Sequence, residues 1–298
     1  MSSSFVVVVC HGSYHIPELY VPFLNSLKER GIEAHCPQLP TSDLSKLNVG
    51  DVSNPDFDRD APPGGYPQPV DDVKVIKTLL KQFIVEDGKN VILVGHSSGG
   101  FVATASATSD LQAKIREAQG RPGGIIGLFY ACAFVVPVGE SIHSTVQPKD
   151  GSPPYVPPWC KFHVRFTSRS QTLLLNTTVA SKEEWRIRSH HYRRHCKVFL
   201  HGLDEEKAKY YENMMTASPI LRTVLESDAY SALPCVYVVT ENDIGVPTSA
   251  QEGVVGLQNM REGVDIKVVR CQAGHSPFLT WTEGLVREVQ KFGKELAG

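Results

Sequence analysis

Strong charge is the first thing this 298-residue chain lacks: 30 Lys and Arg stand against 32 Asp and Glu, for a formal net charge of -2. That balance offers no electrostatic footprint for nucleic acid or for an anionic membrane. Long apolar runs are missing too. The N-terminal stretch FVVVVC, Phe5 to Cys10, is far too short to span a bilayer, and no basic residues precede it as they do in a secretory leader, so the expected location is cytoplasmic. The 7 cysteines are scattered, odd in number and never spaced CxxC, which argues against a disulfide framework or a zinc site. Cys10, Cys36, Cys132, Cys235 and Cys271 lie in or beside apolar runs and read as small buried hydrophobes. Neither phosphate-loop pattern, GxxxxGK[ST] or GxGxxG, occurs, and there are no internal repeats.

What is present is a 41% hydrophobic chain, enough for one large core, with short β-branched runs at intervals. These are Phe5–Cys10, Ile32–Cys36, Asn90–Gly95, Ile125–Ala131, Cys235–Val239 and Val264–Val269. They are continuous in hydrophobicity rather than alternating, the pattern of strands buried on both faces of a parallel sheet. Helical patterns fall between them: Pro17–Arg30, Val70–Glu86 with Val73, Ile76, Leu80 and Phe83 at helical spacing, and Ser276–Leu296 at the end. The alternation predicts an α/β fold with a mostly parallel central sheet flanked by helices. One stretch breaks it. Residues 137–230 carry proline-rich turns, many aromatics and the helix-like tract DEEKAKYYENMM, and are expected to form an inserted cap between core parts 1–136 and 231–298. The irregular stretch Pro37–Pro69 is expected to be a long surface loop near the same end of the sheet.

The most informative segment is NVILVGHSSGG, Asn90 to Gly100, in which Ser97 sits within G-x-S-x-G after a strand and before a small-residue helix. Glycines there permit a sharp turn that lifts the Ser97 hydroxyl clear of the sheet. A glycine-rich strand-to-helix turn can equally cradle a phosphate, so the motif needs partners. A serine is a weak nucleophile without a base to take its proton and a third group to orient that base. Later strand ends offer both. The turn TENDIGVP carries Glu241 and Asp243, either of which could reach an imidazole, and RCQAGHSPFL carries His275. An oxyanion would need preorganised N–H donors. The amides of Ser98, next to the nucleophile, and of Ser13, in HGSYH after the first strand, are the candidates.

The segments HGSYH, GHSSGG, YACAFVVPVGES, TENDIGVP and AGHSPFL resemble the matching signatures of the α/β-hydrolase superfamily, and within it the plant methylesterase and hydroxynitrile lyase branch. The resemblance runs through nearly the whole chain in order, with poor agreement in the cap and in Pro37–Pro69. It implies Ser97 as nucleophile, Asp243 as acid, His275 as base, and Ser13 and Ser98 as oxyanion amides, with no cofactor. The lyases of that branch carry threonine at the position of Gly12 and lysine at that of Ser276. Both markers are absent, so the resemblance implies a hydrolase of carboxylic esters or lactones rather than a lyase; a cyclase, a decarboxylase or a ligand receptor on the same scaffold are the other readings.

The cap aromatics suggest a small to medium, largely apolar substrate with an aromatic or polyketide-like body. His15, Tyr14, Trp159, Trp185 and Tyr192 are the candidate pocket residues. In RIRSHHYRRHCK, His191 and His195 have i, i+4 spacing, but no third ligand has convincing spacing, so no metal is expected. The expected partner is a small-molecule substrate, with no nucleic acid and no membrane.

Overall fold

The computed structural model describes residues 5–155 and 198–297. A single sheet of six parallel strands is built from β1 (Phe5–Cys10), β2 (Glu33–His35), β3 (Asn90–His96), β4 (Gly124–Ala131), β5 (Cys235–Thr240) and β6 (Ile266–Cys271), in the order β2-β1-β3-β4-β5-β6. The helices are α1 (Val21–Glu29), α2 (Pro69–Leu80), α3 (Gly99–Ser106), α4 (Ala113–Ala118), α5 (Ile142–Val146), α6 (Glu205–Glu212), α7 (Thr248–Asn259), α8 (Pro277–Thr280) and α9 (Thr282–Ala297).

β1 shows why the sheet is covered on both sides. Its residues are all buried, and successive side chains point to opposite faces. Val6, Val8 and Cys10 join the core with Ile76 and Leu80 of α2, whereas Phe5, Val7 and Val9 join the one with Phe23 and Leu27 of α1 and Val286 and Val289 of α9. Fully burying each such side chain is worth roughly 1.5–3 kcal/mol, which commits β1 to the centre. The chain runs outward from β1 to β2 and returns to the other side of β1 as β3, with Cys10 level with Gly95. Such a reversal, at the C-terminal ends of β1 and β3, is the place where open α/β sheets bind ligands.

Several expectations need correction. The edge strands are not buried on both faces: in β6, Lys267, Val268 and Arg270 are exposed. The continuous apolar reading of VDIKVV passed over Lys267 within it and Arg270 just after it, the basic residues that mark an edge. The expected helix Pro17–Arg30 begins as a tight 3₁₀ turn, Pro17–Tyr20, before α1. The helix expected over Val70–Glu86 gives way after Leu80 to a wider π turn, Lys81–Glu86, which buries the adjacent Phe83 and Ile84. The final helix is broken at Trp281, between α8 and α9. Ala229 and Tyr230, at the expected end of the cap, lie in the sheet core, with the Tyr230 hydroxyl donating to the Val136 carbonyl at 3.1 Å. Trp159, Trp185 and Tyr192, the rings of Phe162 and Phe166, and the His191/His195 tract lie outside the described residues. The five cysteines Cys10, Cys36, Cys132, Cys235 and Cys271 are unbridged, and among the described residues no helix is long and apolar enough to cross a membrane.

The Pro37–Pro69 stretch is more than a surface loop. Leu47, Val49 and Phe57 make a small core with Ala217. Its start is held by Asp72 of α2, whose buried carboxylate accepts from the Thr41 N–H at 3.0 Å and the Thr41 hydroxyl at 2.7 Å. Burial pushes the Asp72 pKa up to about 7 in spite of those hydrogen bonds. The folded chain therefore keeps a proton that the unfolded chain, with a carboxylate pKa of about 3.9, releases. The stabilisation is complete below the unfolded pKa and is lost as the pH climbs through about 7. Asp72→Asn cannot ionise, so its stability relative to the parent should rise steadily between about pH 4 and about pH 7 and then level off, by up to about 4 kcal/mol. Paired denaturant titrations across that range check this, and a pH-independent difference would contradict it.

Candidate active site

Every element of the site hangs from a strand end. Ser97 follows β3 with φ of 51°, a left-handed conformation uncommon for a residue with a side chain, and it is held there by bonds on both sides. Its N–H donates to the Ala131 carbonyl at 3.3 Å, and its carbonyl accepts from the Phe134 N–H at 2.9 Å. The turn needs Gly99, because a Cβ there would lie 2.0 Å from the Cys10 carbonyl oxygen. His275 follows β6, Asp243 follows β5, and the three side chains meet. His275 Nε2 lies 3.0 Å from Ser97 Oγ, and Nδ1 lies 2.7 Å from Asp243 Oδ2. With Nδ1–H donating to the carboxylate, Nε2 is left to accept the Ser97 hydroxyl proton.

Asp243 is built to stay ionised. Oδ1 accepts the Gly245 and Val246 N–H groups, both at 2.8 Å, and Oδ2 also accepts the Thr240 hydroxyl at 3.1 Å. Burial by itself would raise its pKa, but the adjoining His275 ring and the two amides outweigh it and hold the carboxyl below its ordinary range. Glu241 faces away: its carboxylate lies 3.6 Å from Arg270 Nη1 and accepts from the Gln272 side chain, at the partly exposed edge. Of the two acids on this turn, Asp243 alone meets His275.

A second network lies beneath the elbow. The Gly12 N–H donates to the Tyr20 hydroxyl at 3.1 Å, which donates to His96 Nδ1 at 2.7 Å, and His96 Nε2–H donates to the His275 carbonyl at 2.7 Å. Burial lowers the His96 pKa to about 3 and that of His11 to about 4, so both rings stay neutral in this role. His11 accepts the Leu39 N–H on Nε2 at 3.0 Å and donates to the Gly12 carbonyl from Nδ1 at 3.0 Å. The ligand atoms of His96, Cys132 and His275 come within 4.8 Å of one another. Each is already hydrogen-bonded, Cys132 Sγ to the His275 carbonyl at 3.3 Å, and burial keeps that thiol protonated. The cluster is therefore accounted for as the floor under the imidazole.

The remaining sequence candidates are spread around this centre. Ser13 and Ser98 meet directly: the Ser13 N–H, expected to face the oxyanion, donates to Ser98 Oγ at 2.7 Å. The Ser98 N–H has no acceptor among the described residues. His15 is wholly buried, edge-on to His96, Phe199 and Phe278, and neither ring nitrogen has a hydrogen-bond partner. The Tyr14 ring packs 5.5 Å from Phe199. Tyr155 and Tyr210, aromatics of the expected cap, are half and more than half exposed, at 50% and 58%. Tyr211 packs with Phe199, Leu200 and Met215.

Phe199 was not legible in the sequence. Its ring lies 5.4 Å from His275, and its carbonyl accepts the Ser276 hydroxyl at 2.6 Å. Ser276 is wholly buried and its hydroxyl is taken up by that carbonyl. Gly12 is constrained, since a Cβ there would sit 2.9 Å from both His96 Nδ1 and Ser97 Cβ, which leaves no space for the lyases' threonine.

A parallel sheet with a serine, a histidine and a carboxylate bonded in series at its C-terminal edge defines the α/β-hydrolase class. Residues 7–288 match the family model described as the alpha/beta hydrolase family, and the chain belongs to that family. Among curated proteins it is 25% identical over 294 residues to an alpha/beta hydrolase, nvfD, of Aspergillus novofumigatus, covering 97% of this chain and 96% of that one. Among solved structures it is similar to a pyrethroid hydrolase from Sphingobium faniae (TM-score 0.65, 19% identity, 98% of each chain). A methylesterase from Arabidopsis is also similar (TM-score 0.56, 18% identity, 98% of this chain and 100% of that one).

Proposed function

We propose that the chain is a serine hydrolase that cleaves a carboxylic ester or lactone of a small to medium, largely apolar substrate. The observation that supports this reading is the bonded series Asp243, His275, Ser97, with Nε2 3.0 Å from the serine oxygen. In the first half-reaction Ser97 Oγ attacks the carbonyl carbon while His275 Nε2 takes its proton. Asp243 holds the tautomer and balances the imidazolium. Collapse of the tetrahedral intermediate breaks the C–O bond, and His275 returns the proton to the leaving alkoxide. Water, deprotonated by the same nitrogen, then releases the acid and restores Ser97.

The apolar body is supported by the cluster next to His275, where Phe199, its ring 5.4 Å from the imidazole, packs with Leu200, Tyr14, Tyr211 and Met215. A panel of aryl, alkyl and methyl esters and of lactones tests the reading. The highest kcat/KM is expected on esters with an aromatic or extended apolar acyl group, at least about tenfold above acetyl esters of the same alcohol, since each buried methylene contributes about 0.8 kcal/mol. A preference for short polar esters would contradict it. Turnover with the triad acting only as acid and base, as in a lyase or decarboxylase, is the second reading; it leaves no acyl group on Ser97.

A further inference from the structure

Three serines from separate parts of the chain meet beside Ser97. The Ser218 hydroxyl, on the segment returning from the cap region, lies 3.2 Å from Ser13 Oγ and 3.3 Å from the Pro219 carbonyl. The Ser13 hydroxyl donates to Ser98 Oγ at 2.9 Å, and the Ser13 N–H donates to the same oxygen at 2.7 Å. Ser98 and Ser218 are buried, 7% and 5% exposed, so these bonds are not surface ornament.

A hydroxyl has two lone pairs and one proton. Ser98 Oγ receives one bond from the Ser13 amide and one from the Ser13 hydroxyl, so both lone pairs are filled. Its proton has no acceptor among the described residues, and neither has the Ser98 N–H. Both unused donors belong to the residue that follows Ser97, at the N-terminus of α3. The Ser13 amide, by contrast, is already engaged and would have to break a 2.7 Å bond to reach a substrate oxygen.

The geometry points to the Ser98 hydroxyl as the second oxyanion donor, polarised from behind by the Ser13 amide and the chain of serine hydroxyls. This rests on the serine hydrolase reading above. The oxyanion then takes one bond from the Ser98 N–H and one from the Ser98 O–H, and the field of the Ser13 amide reaches it through the hydroxyl. Hydrogen bonds in series strengthen one another, most of all when the last acceptor gains negative charge. The arrangement therefore favours the tetrahedral intermediate over the ground-state carbonyl, as a catalytic donor must. If the serines served only to tie the cap return to the loop after β1, the Ser13–Ser218 contact would suffice, and Ser98 would bury a proton with nothing to accept it.

The test is Ser98→Ala, which keeps the backbone amide, compared with Ser218→Ala on an aryl ester that the parent turns over in a Ser97-dependent way. Ser98→Ala should lower kcat by about a hundredfold with KM changed less than about threefold. It should weaken an aryl trifluoromethyl ketone, whose adduct with Ser97 carries the oxyanion, by a similar factor. Ser218→Ala, which removes only a distant polarising group, should cost about twofold to fivefold in kcat. Melting temperatures control for folding. An unchanged or faster Ser98→Ala enzyme would show that the freed Ser13 amide serves the oxyanion directly and would overturn the inference, as would a loss confined to KM. Failure of the hydrolase reading is distinguishable, because ester turnover would then either survive Ser97→Ala or leave no acyl group on Ser97 in the parent.

Discussion

Ser97→Ala is expected to lower kcat at least about a thousandfold on any ester the parent hydrolyses, because nucleophile, base and orienting acid act as a unit and removing one disables the others. The residual rate should come from the oxyanion donors and from binding. The substitution should leave the fold almost untouched: among the described residues the Ser97 hydroxyl bonds only His275, at 3.0 Å, and its left-handed φ of 51° is as demanding for alanine as for serine. Its unfolding curve should overlay that of the parent. Substrate binding should persist, seen as a KM or a ligand-induced melting shift close to normal. Near-normal turnover in this variant would remove the nucleophile from the account.

The second large effect is expected at Asp243. Asp243→Asn should lower kcat by about 10⁴, the usual cost of losing the carboxylate that fixes the imidazole tautomer. An asparagine amide facing Nδ1 favours the proton on Nε2, where it opposes the Ser97 hydroxyl. Glu241→Gln should cost less than about threefold, since among the described residues the Glu241 carboxylate is bonded to Arg270 and Gln272 at a partly exposed edge, where such pairs contribute little. Both substitutions remove one charge at nearly constant size from the same turn, so each controls for the other. Parallel kcat measurements decide the matter, and a larger loss at Glu241 would overturn the assignment of the acid.

The parts of this protein that were legible in its sequence share a physical cause. β1 and β3 are buried on both faces, so their runs FVVVVC and NVILVG carry no polar interruption and read plainly as central strands. Ser97, Asp243 and His275 follow β3, β5 and β6, and a parallel sheet brings all its C-terminal ends to one side, so their convergence could be expected from order alone. What stayed hidden depends on contacts between distant segments. The Ser218 to Ser13 bond joins residues 205 positions apart, and nothing about a serine before a proline marks it as part of a hydroxyl chain. Phe199 comes to the base through a backbone carbonyl held by Ser276, a bond with no side-chain signature at position 199. The Tyr20–His96 link is equally silent, because a tyrosine in a 3₁₀ turn and a histidine in an elbow each have ordinary local explanations. The edge character of β6 was written in Lys267 and Arg270 but outvoted by its valines.

The central claim is that Ser97 becomes acylated during turnover. Rapid mixing of the parent with a p-nitrophenyl ester under excess substrate, followed by acid quench and intact-mass and peptide analysis, measures this directly. The account predicts a mass increase equal to the acyl group, located on the peptide containing Ser97, formed within one turnover and missing from Ser97→Ala. Steady release of p-nitrophenol with no acyl mass on that peptide would contradict it.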